Sequence, residues 1–130
     1  MRKNMVLGVG TDIVETDRFE RLIDKGKPGH IFTDREFSYI MKSTNKRVWL
    51  MKAAGIFAAK EAAAKAMSTG LVFFPSEIEV DHKDNGAPFI VLHGQALEIA
   101  NNMGIKYIHI SISDTDRYGA AFALAENYEK

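Results

Sequence analysis

The stretch Ile56 to Gly70, I-F-A-A-K-E-A-A-A-K-A-M-S-T-G, constrains this chain most. Alanine is the strongest helix former, so the stretch reads as helix. Its methyl side chains leave the backbone bare enough for a bulky ligand or a second helix to come close. Lys60, Glu61 and Lys65 interrupt the alanines. Glu61 and Lys65 are four apart and share a face. Lys60 lies about 100° round from Glu61. A Glu–Lys pair at this spacing is also ordinary decoration of a solvated helix, so the stretch alone leaves its role open.

Apolar residues at helical intervals (Trp49, Leu50, Ala53, Ile56, Phe57, Ala64) extend the helix back to about Lys46 and on to Met67. Asn45 is its candidate N-cap. Gly55, at a cost of about 1 kcal/mol relative to alanine, points to close packing against another backbone. Ser68-Thr69-Gly70 is the exit, with Gly70 suited to a left-handed conformation.

Towards the N-terminus, Met5 to Val9 reads as a strand. Gly8-Val9-Gly10-Thr11-Asp12 follows, but a dinucleotide fingerprint needs a third glycine where Ile13 stands. What remains is a strand end delivering the Asp12 carboxylate, or a helix N-cap. A helix over about Glu15 to Lys25 has Val14, Phe19, Leu22 and Ile23 as its apolar stripe. Arg18, Arg21 and Lys25 lie on another side, as a solvated face or as a landing strip for an acidic partner. Lys25-Gly26-Lys27-Pro28-Gly29 ends that helix. Thr33 and Glu36 have capping-box spacing, with Phe32 and Phe37 as the staple, so the next helix runs from Asp34 to about Lys42. These residues read as purely structural.

The second half alternates like sheet. Ile78 to His82 and Phe89 to Leu92 form a hairpin about the Asn85-Gly86 turn. A helix spans about Gln95 to Met103 and stops at Gly104. In Tyr107 to Ser113 the isoleucines take one face, and Tyr107, His109, Ser111 and Ser113 the other. Tyr118 to Glu126 is the last strand. The sum is an α+β fold, an antiparallel sheet with a long central helix and packed helices, in a single domain over residues 1–130.

Seventeen basic and seventeen acidic residues cancel, so no global field draws in nucleic acid or membrane. The absence of cysteine excludes disulfides, thiolate metal sites and cysteine catalysis, and suits a reducing cytoplasm. Apolar runs fall short of a membrane span, and the N-terminus reaches glycine and aspartate too soon for a signal peptide. Neither a Ser-His-acid order nor metal-type histidine spacing is visible, so hydrolase and zinc readings gain no support.

Taken together, the motifs resemble one family. G-x-D-I-x-E-x-x-R occurs at Gly10 to Arg18 and F-A-A-K-E-A-x-x-K-A at Phe57 to Ala66, followed by Thr69-Gly70. An N-G-x-P hairpin turn occurs at Asn85 to Pro88. An H-[VI]-S-[IL] strand occurs at His109 to Ile112, with Tyr118-Gly119-Ala120-Ala121 after it. Their order is similar to that of the small holo-[acyl-carrier-protein] synthases, which are 4'-phosphopantetheinyl transferases, and the likeness covers essentially the whole chain. The resemblance implies transfer of the 4'-phosphopantetheine arm of coenzyme A to a serine of apo-acyl carrier protein, with Mg2+ as cofactor, in fatty acid biosynthesis. It also implies a homotrimer with sites at subunit interfaces.

By the same resemblance, Asp12 and Glu61 are metal ligands, and Glu61 is the candidate base. Lys65 faces the pyrophosphate and Lys60 is a further phosphate contact. Thr69, Gly70, Gly86, Pro88, His109 and Ser111 line the coenzyme A site, while Arg18 and Arg21 meet the carrier protein. Ile56 stands where the family usually has arginine, with Lys52 one turn earlier as a candidate substitute. Ser68, Ala87 and Asp114 also depart from the pattern. These departures keep one alternative open, an inactive homologue that binds coenzyme A or acyl carrier protein without transfer.

Overall fold

The computed structural model describes residues 3–25 and 29–128. The turn expected over residues 26–28 lies outside them. In chain order the elements are strand β1 (Val6–Glu15), a 3-10 turn (Thr16–Phe19), and helices α1 (Glu20–Asp24), α2 (Asp34–Ile40) and α3 (Lys46–Ala66). Strands β2 (Ile78–His82) and β3 (Pro88–Leu92), helix α4 (Gly94–Met103), and strands β4 (Tyr107–Asp114) and β5 (Tyr118–Glu126) follow. An antiparallel sheet of order β1-β5-β4 carries α3 on its inner face, and β2-β3 forms a separate hairpin.

The 21-residue helix α3 is apolar nearly all round and forms the centre of the core. Ala58, Ala59, Ala62, Ala63, Ala64 and Ala66 have no exposed surface. The bare backbone expected to make room for a ligand or a second helix instead makes room for the sheet. A Cβ on Gly8 would stand 2.0 Å from the Ala66 carbonyl oxygen, and one on Gly10 2.0 Å from that of Ala62. On β5, a Cβ on Gly119 would stand 2.6 Å from the backbone of Ala54 and Gly55. Glycine on the strands and alanine on the helix therefore bring the two backbones into direct contact. Gly55 itself faces the side chains of Ile112 and Asp114.

This packing explains the main boundary error of the sequence reading. β1 does not end at Val9. It pairs with β5 as far as Glu15 opposite Tyr118, so Asp12 lies within a strand, opposite Ala121, and caps no helix. The helix expected from Glu15 reduces to the 3-10 turn and the five-residue α1. Helix α2 stops at Ile40, two residues short of the expected end. Elsewhere the expected local chemistry is present. Thr33 and Glu36 form the capping box, the Asn45 side chain accepts from Arg47 N, and Gly104 caps α4 in the left-handed region. Gly70 is left-handed as expected (φ 65°), and so is Ser68 (φ 63°).

Candidate active site

Asp12 leaves β1 on the inner face, beside the flank of α3 that carries Glu61 and Lys65. The Lys65 ammonium donates to the Thr11 carbonyl at 3.0 Å and stands 3.5 Å from Asp12 Oδ1. Asp12 Oδ2 is buried and has no hydrogen-bond partner. A desolvated anionic oxygen in that condition is costly, and a bound cation is one of the few things that relieves it. Glu61 is half-buried. Burial first, then the Asp12 carboxylate, hold its carboxyl above the ordinary glutamate value, opposed by Lys65 and Arg18. Two carboxylates and two cations thus act on one another at the junction of β1, α3 and the 3-10 turn. Arg18 is exposed, with its guanidinium 5.1 Å from the Phe57 ring centroid. Arg21 is exposed on the same short helical segment, one turn on.

Among the described residues no group of three or more histidine or acidic side chains converges as a metal cage. The acidic side chains that act on one another here are the pair Asp12 and Glu61. Mg2+ commonly takes one or two carboxylates and completes its shell with water and substrate phosphates, so the pair fits that ion.

Lys60 departs from expectation. It points away from the Glu61 flank and has no exposed surface. Its ammonium donates to both oxygens of Glu36 at 2.8 Å, to Pro75 O at 3.0 Å and to Ile78 O at 2.6 Å. Every proton is used, so Lys60 does not contact phosphate within this fold. Glu36, read from sequence as a capping residue alone, is its partner. A signal for this existed: Ile56, Phe57, Ala63 and Ala64, the neighbours of Lys60 three and four residues away, are all apolar, which places Lys60 on the core stripe.

The remaining expected residues fall in three places. Thr69 and Gly70 are at the exit of α3, one turn beyond Lys65, where the Thr69 hydroxyl donates to Gly70 O at 2.8 Å. His109 and Ser111 lie on the outer face of the sheet, opposite to Asp12. His109 Nε2 there meets Glu126 Oε2 at 3.1 Å. Gly86 (φ 89°) and Pro88 line a separate cavity of about 170 Å³ with Lys52, Ile56, His82 and Asp114. In that cavity the His82 ring stacks on Tyr39 at 3.9 Å, and the Lys52 ammonium lies 4.5 Å from the Tyr39 ring centroid. Ile56 precedes Glu61 by five residues, about 140° round the helix. Within one chain, then, the carboxylate pair and the Gly86–Pro88 cavity open in different directions.

The outer sheet face leaves large apolar side chains exposed beside the polar His109 and Ser111. Val9 is 56% exposed, Ile13 64% and Phe122 42%. No helix among the described residues is long and apolar enough to cross a membrane.

The chain is similar to the holo-[acyl-carrier-protein] synthase of Caldicellulosiruptor saccharolyticus, with 40% identity over 127 residues covering 96% of this chain and 100% of the relative. Its fold is similar to the crystal structure of the holo-[acyl-carrier-protein] synthase from Neisseria meningitidis (TM-score 0.78, 33% identity, 97% and 100% of the two chains). It is also similar to that of Bacillus anthracis, solved in complex with CoA (3',5'-ADP) (TM-score 0.76, 31% identity, 95% and 99%). The family model described as the 4'-phosphopantetheinyl transferase superfamily matches residues 8–123, which contain every element from the middle of β1 to the middle of β5, and the chain belongs to that superfamily.

Proposed function

We propose that this protein is a holo-[acyl-carrier-protein] synthase. It moves the 4'-phosphopantetheine arm of coenzyme A onto a serine of apo-acyl carrier protein and releases 3',5'-bisphosphoadenosine. The observation that carries the reading is the orphaned, buried Oδ2 of Asp12 beside Glu61 and Lys65, in a chain of this superfamily. Asp12 and Glu61 would hold Mg2+, whose positive charge stabilises the diphosphate oxygens as their charge grows.

The chain's own residues do the rest. The serine oxygen forms a bond to the β-phosphorus while the bond from that phosphorus to the bridging oxygen breaks. The serine proton passes to Glu61, directly or through a water. Lys65 sits where it neutralises charge accumulating on the leaving phosphate. Arg18 and Arg21, exposed beside this centre, present cations to an acidic carrier protein although the chain as a whole is neutral.

The rest of coenzyme A is assigned to a neighbouring copy. The Gly86–Pro88 cavity faces away from Glu61, and the outer face that carries Val9, Ile13 and Phe122 calls for a partner. A homotrimer closing over that face, with His109 and Ser111 in or near the seam, would bring one chain's cavity towards another's carboxylates. Lys52 lines the same cavity as Ile56, so it supplies the cation that the isoleucine lacks. Lys52→Ala should weaken coenzyme A binding by calorimetry about tenfold, and unchanged binding removes that assignment. The absence of cysteine is consistent with a cytoplasmic setting.

The deciding experiment incubates the protein with coenzyme A, Mg2+ and apo-acyl carrier protein. Mass spectrometry then looks for an increment of ~340 Da, the phosphopantetheine group expected from this class of transfer. No increment at any Mg2+ concentration sinks the reading. If it appears, Asp12→Ala and Glu61→Ala should each abolish it at low Mg2+.

A further inference from the structure

Helix α3 is held from two opposite sides. Ala62 rests directly on Gly10 of the sheet. Lys60 is 200° from Ala62 round the helix, so it points almost directly away from the sheet. There it enters a socket made by α2 and the segment leading into β2. Glu36 takes the ammonium with both oxygens while also accepting from Thr33 N at 2.9 Å and Val80 N at 2.7 Å. Pro75 and Ile78 provide the two carbonyls. Glu61 lies between these anchors, about 100° from each, on the flank facing Asp12.

The contact with the sheet is made by small residues. Where α3 crosses β1 it sets the carbonyls of Ala62 and Ala66 against glycines, and the long side chain that reaches the strand is Lys65, on the Glu61 flank, which donates to Thr11 O. Rotation of α3 would move Glu61 relative to Asp12. A fully satisfied, buried ion pair is directional and has a single geometry, which is the best-attested use of such pairs.

We propose that the Glu36–Lys60 pair is a positioning device: it sets the rotation of α3 so that Glu61 faces Asp12 at the separation a divalent cation needs. Lys60 is thus a positioning residue for the transfer reaction, acting through Glu61. The inference rests on the transferase reading for what the two carboxylates do.

The test removes the pair while keeping the volume. In Glu36→Gln/Lys60→Met, the single amide oxygen of glutamine keeps the capping-box bond from Thr33 N while Val80 N loses its acceptor, and methionine fills the lysine channel. Glu36→Gln/Lys60→Leu is made beside it as a second neutral core. Mn2+ binding is measured by electron paramagnetic resonance, and transfer kinetics with coenzyme A are followed in parallel. The expected result is a folded double variant whose Mn2+ dissociation constant has risen about tenfold or more. Its kcat should fall in step, with the KM for coenzyme A changed less than about threefold. The single variant Glu36→Gln leaves the Lys60 charge buried without its counter-charge and should lose stability, but it keeps a hydrogen-bonded tether, so its Mn2+ affinity should stay close to the parent's. A folded double variant with the parent's Mn2+ affinity overturns the proposal, and so does a Glu36→Gln variant that loses as much Mn2+ affinity as the double variants. If neither double variant folds, the pair's role is stability and the proposal fails. A parent that binds no Mn2+ and transfers nothing would remove the transferase reading itself, which is a different result.

Discussion

Replacing Gly10 with alanine tests the contact on which the site is built. The added methyl would stand 2.0 Å from the Ala62 carbonyl oxygen, 2.8 Å from Lys65 Cβ and 2.9 Å from Ala66 N. The first and third of these are helix backbone, which cannot rotate aside. Ordinary contact begins near 3.4 Å, so α3 must retreat from β1 by about 1.4 Å, or the strand must bow by as much. Overpacking of this kind costs about 1–3 kcal/mol, and the upper figure applies when backbone has to move. At about 4 °C per kcal/mol for a domain of this size, the unfolding midpoint should fall by roughly 10 °C in calorimetry. The effect on chemistry should be larger. Asp12 is two residues along β1 on the same face as Gly10, and Glu61 and Lys65 flank the displaced turn of α3. A displacement of an ångström between reacting groups costs about 100-fold in rate. Transfer assayed well below the transition should therefore drop by about two orders of magnitude in protein that is still folded. A Gly10→Ala protein with the parent's midpoint and the parent's rate would refute the argument, since the glycine would then have no bearing on how α3 sits.

Lys60→Ala leaves Glu36 buried without its counter-charge and should cost about 3–5 kcal/mol in urea unfolding; a loss below about 0.5 kcal/mol would mean the lysine behaves as a surface residue. Ser68→Gly should stabilise by a few tenths to about 1 kcal/mol, because a left-handed conformation costs an L-residue more than glycine's extra freedom in the unfolded chain; an unchanged midpoint would count against it. Glu61 gives a pH signature. Its folded-state pKa is raised by burial and by Asp12, so its protonated form adds stability below the ordinary value of 4.5, and that stability is lost as pH rises through the raised value. Without divalent cations, Glu61→Gln should lack this loss and be the more stable protein at neutral pH, while failing to gain the rise in midpoint that Mg2+ gives the parent. Identical pH dependence in the two proteins would contradict the raised proton affinity that burial, and then Asp12, give Glu61.

Much of the fold is legible in the sequence because its signals are local. The capping box at Thr33 and Glu36, the Asn85-Gly86 turn, the alternation of Tyr107 to Ser113 and the left-handed Gly104 each depend on a few neighbouring residues. β1 is different. Gly8-Val9-Gly10-Thr11-Asp12 has poor strand propensity and looks like a loop, because the reason for its glycines is a helix more than fifty residues away. The same long-range contact accounts for the alanines of α3, which sequence reading assigned to ligand clearance. Asp12, Glu61 and Lys65 were singled out by motif order, and the structure brings those three together.

Lys60 was misplaced for a related reason. Adjacent charges on a helix invite a joint role, but adjacency on a helix means divergence by 100°. Lys60 and Glu61 belong to different layers of the molecule: one reaches α2 and β2, the other looks across to β1. The partner of Lys60, Glu36, already had a sufficient local explanation as a capping residue, which hid its second role. Both oxygens of that carboxylate are used twice, so the residue that starts α2 also fixes α3. On the proposed reading Lys60 gives this Ala-rich helix an external reference, and it stands beside Glu61 in the sequence because the two face different walls.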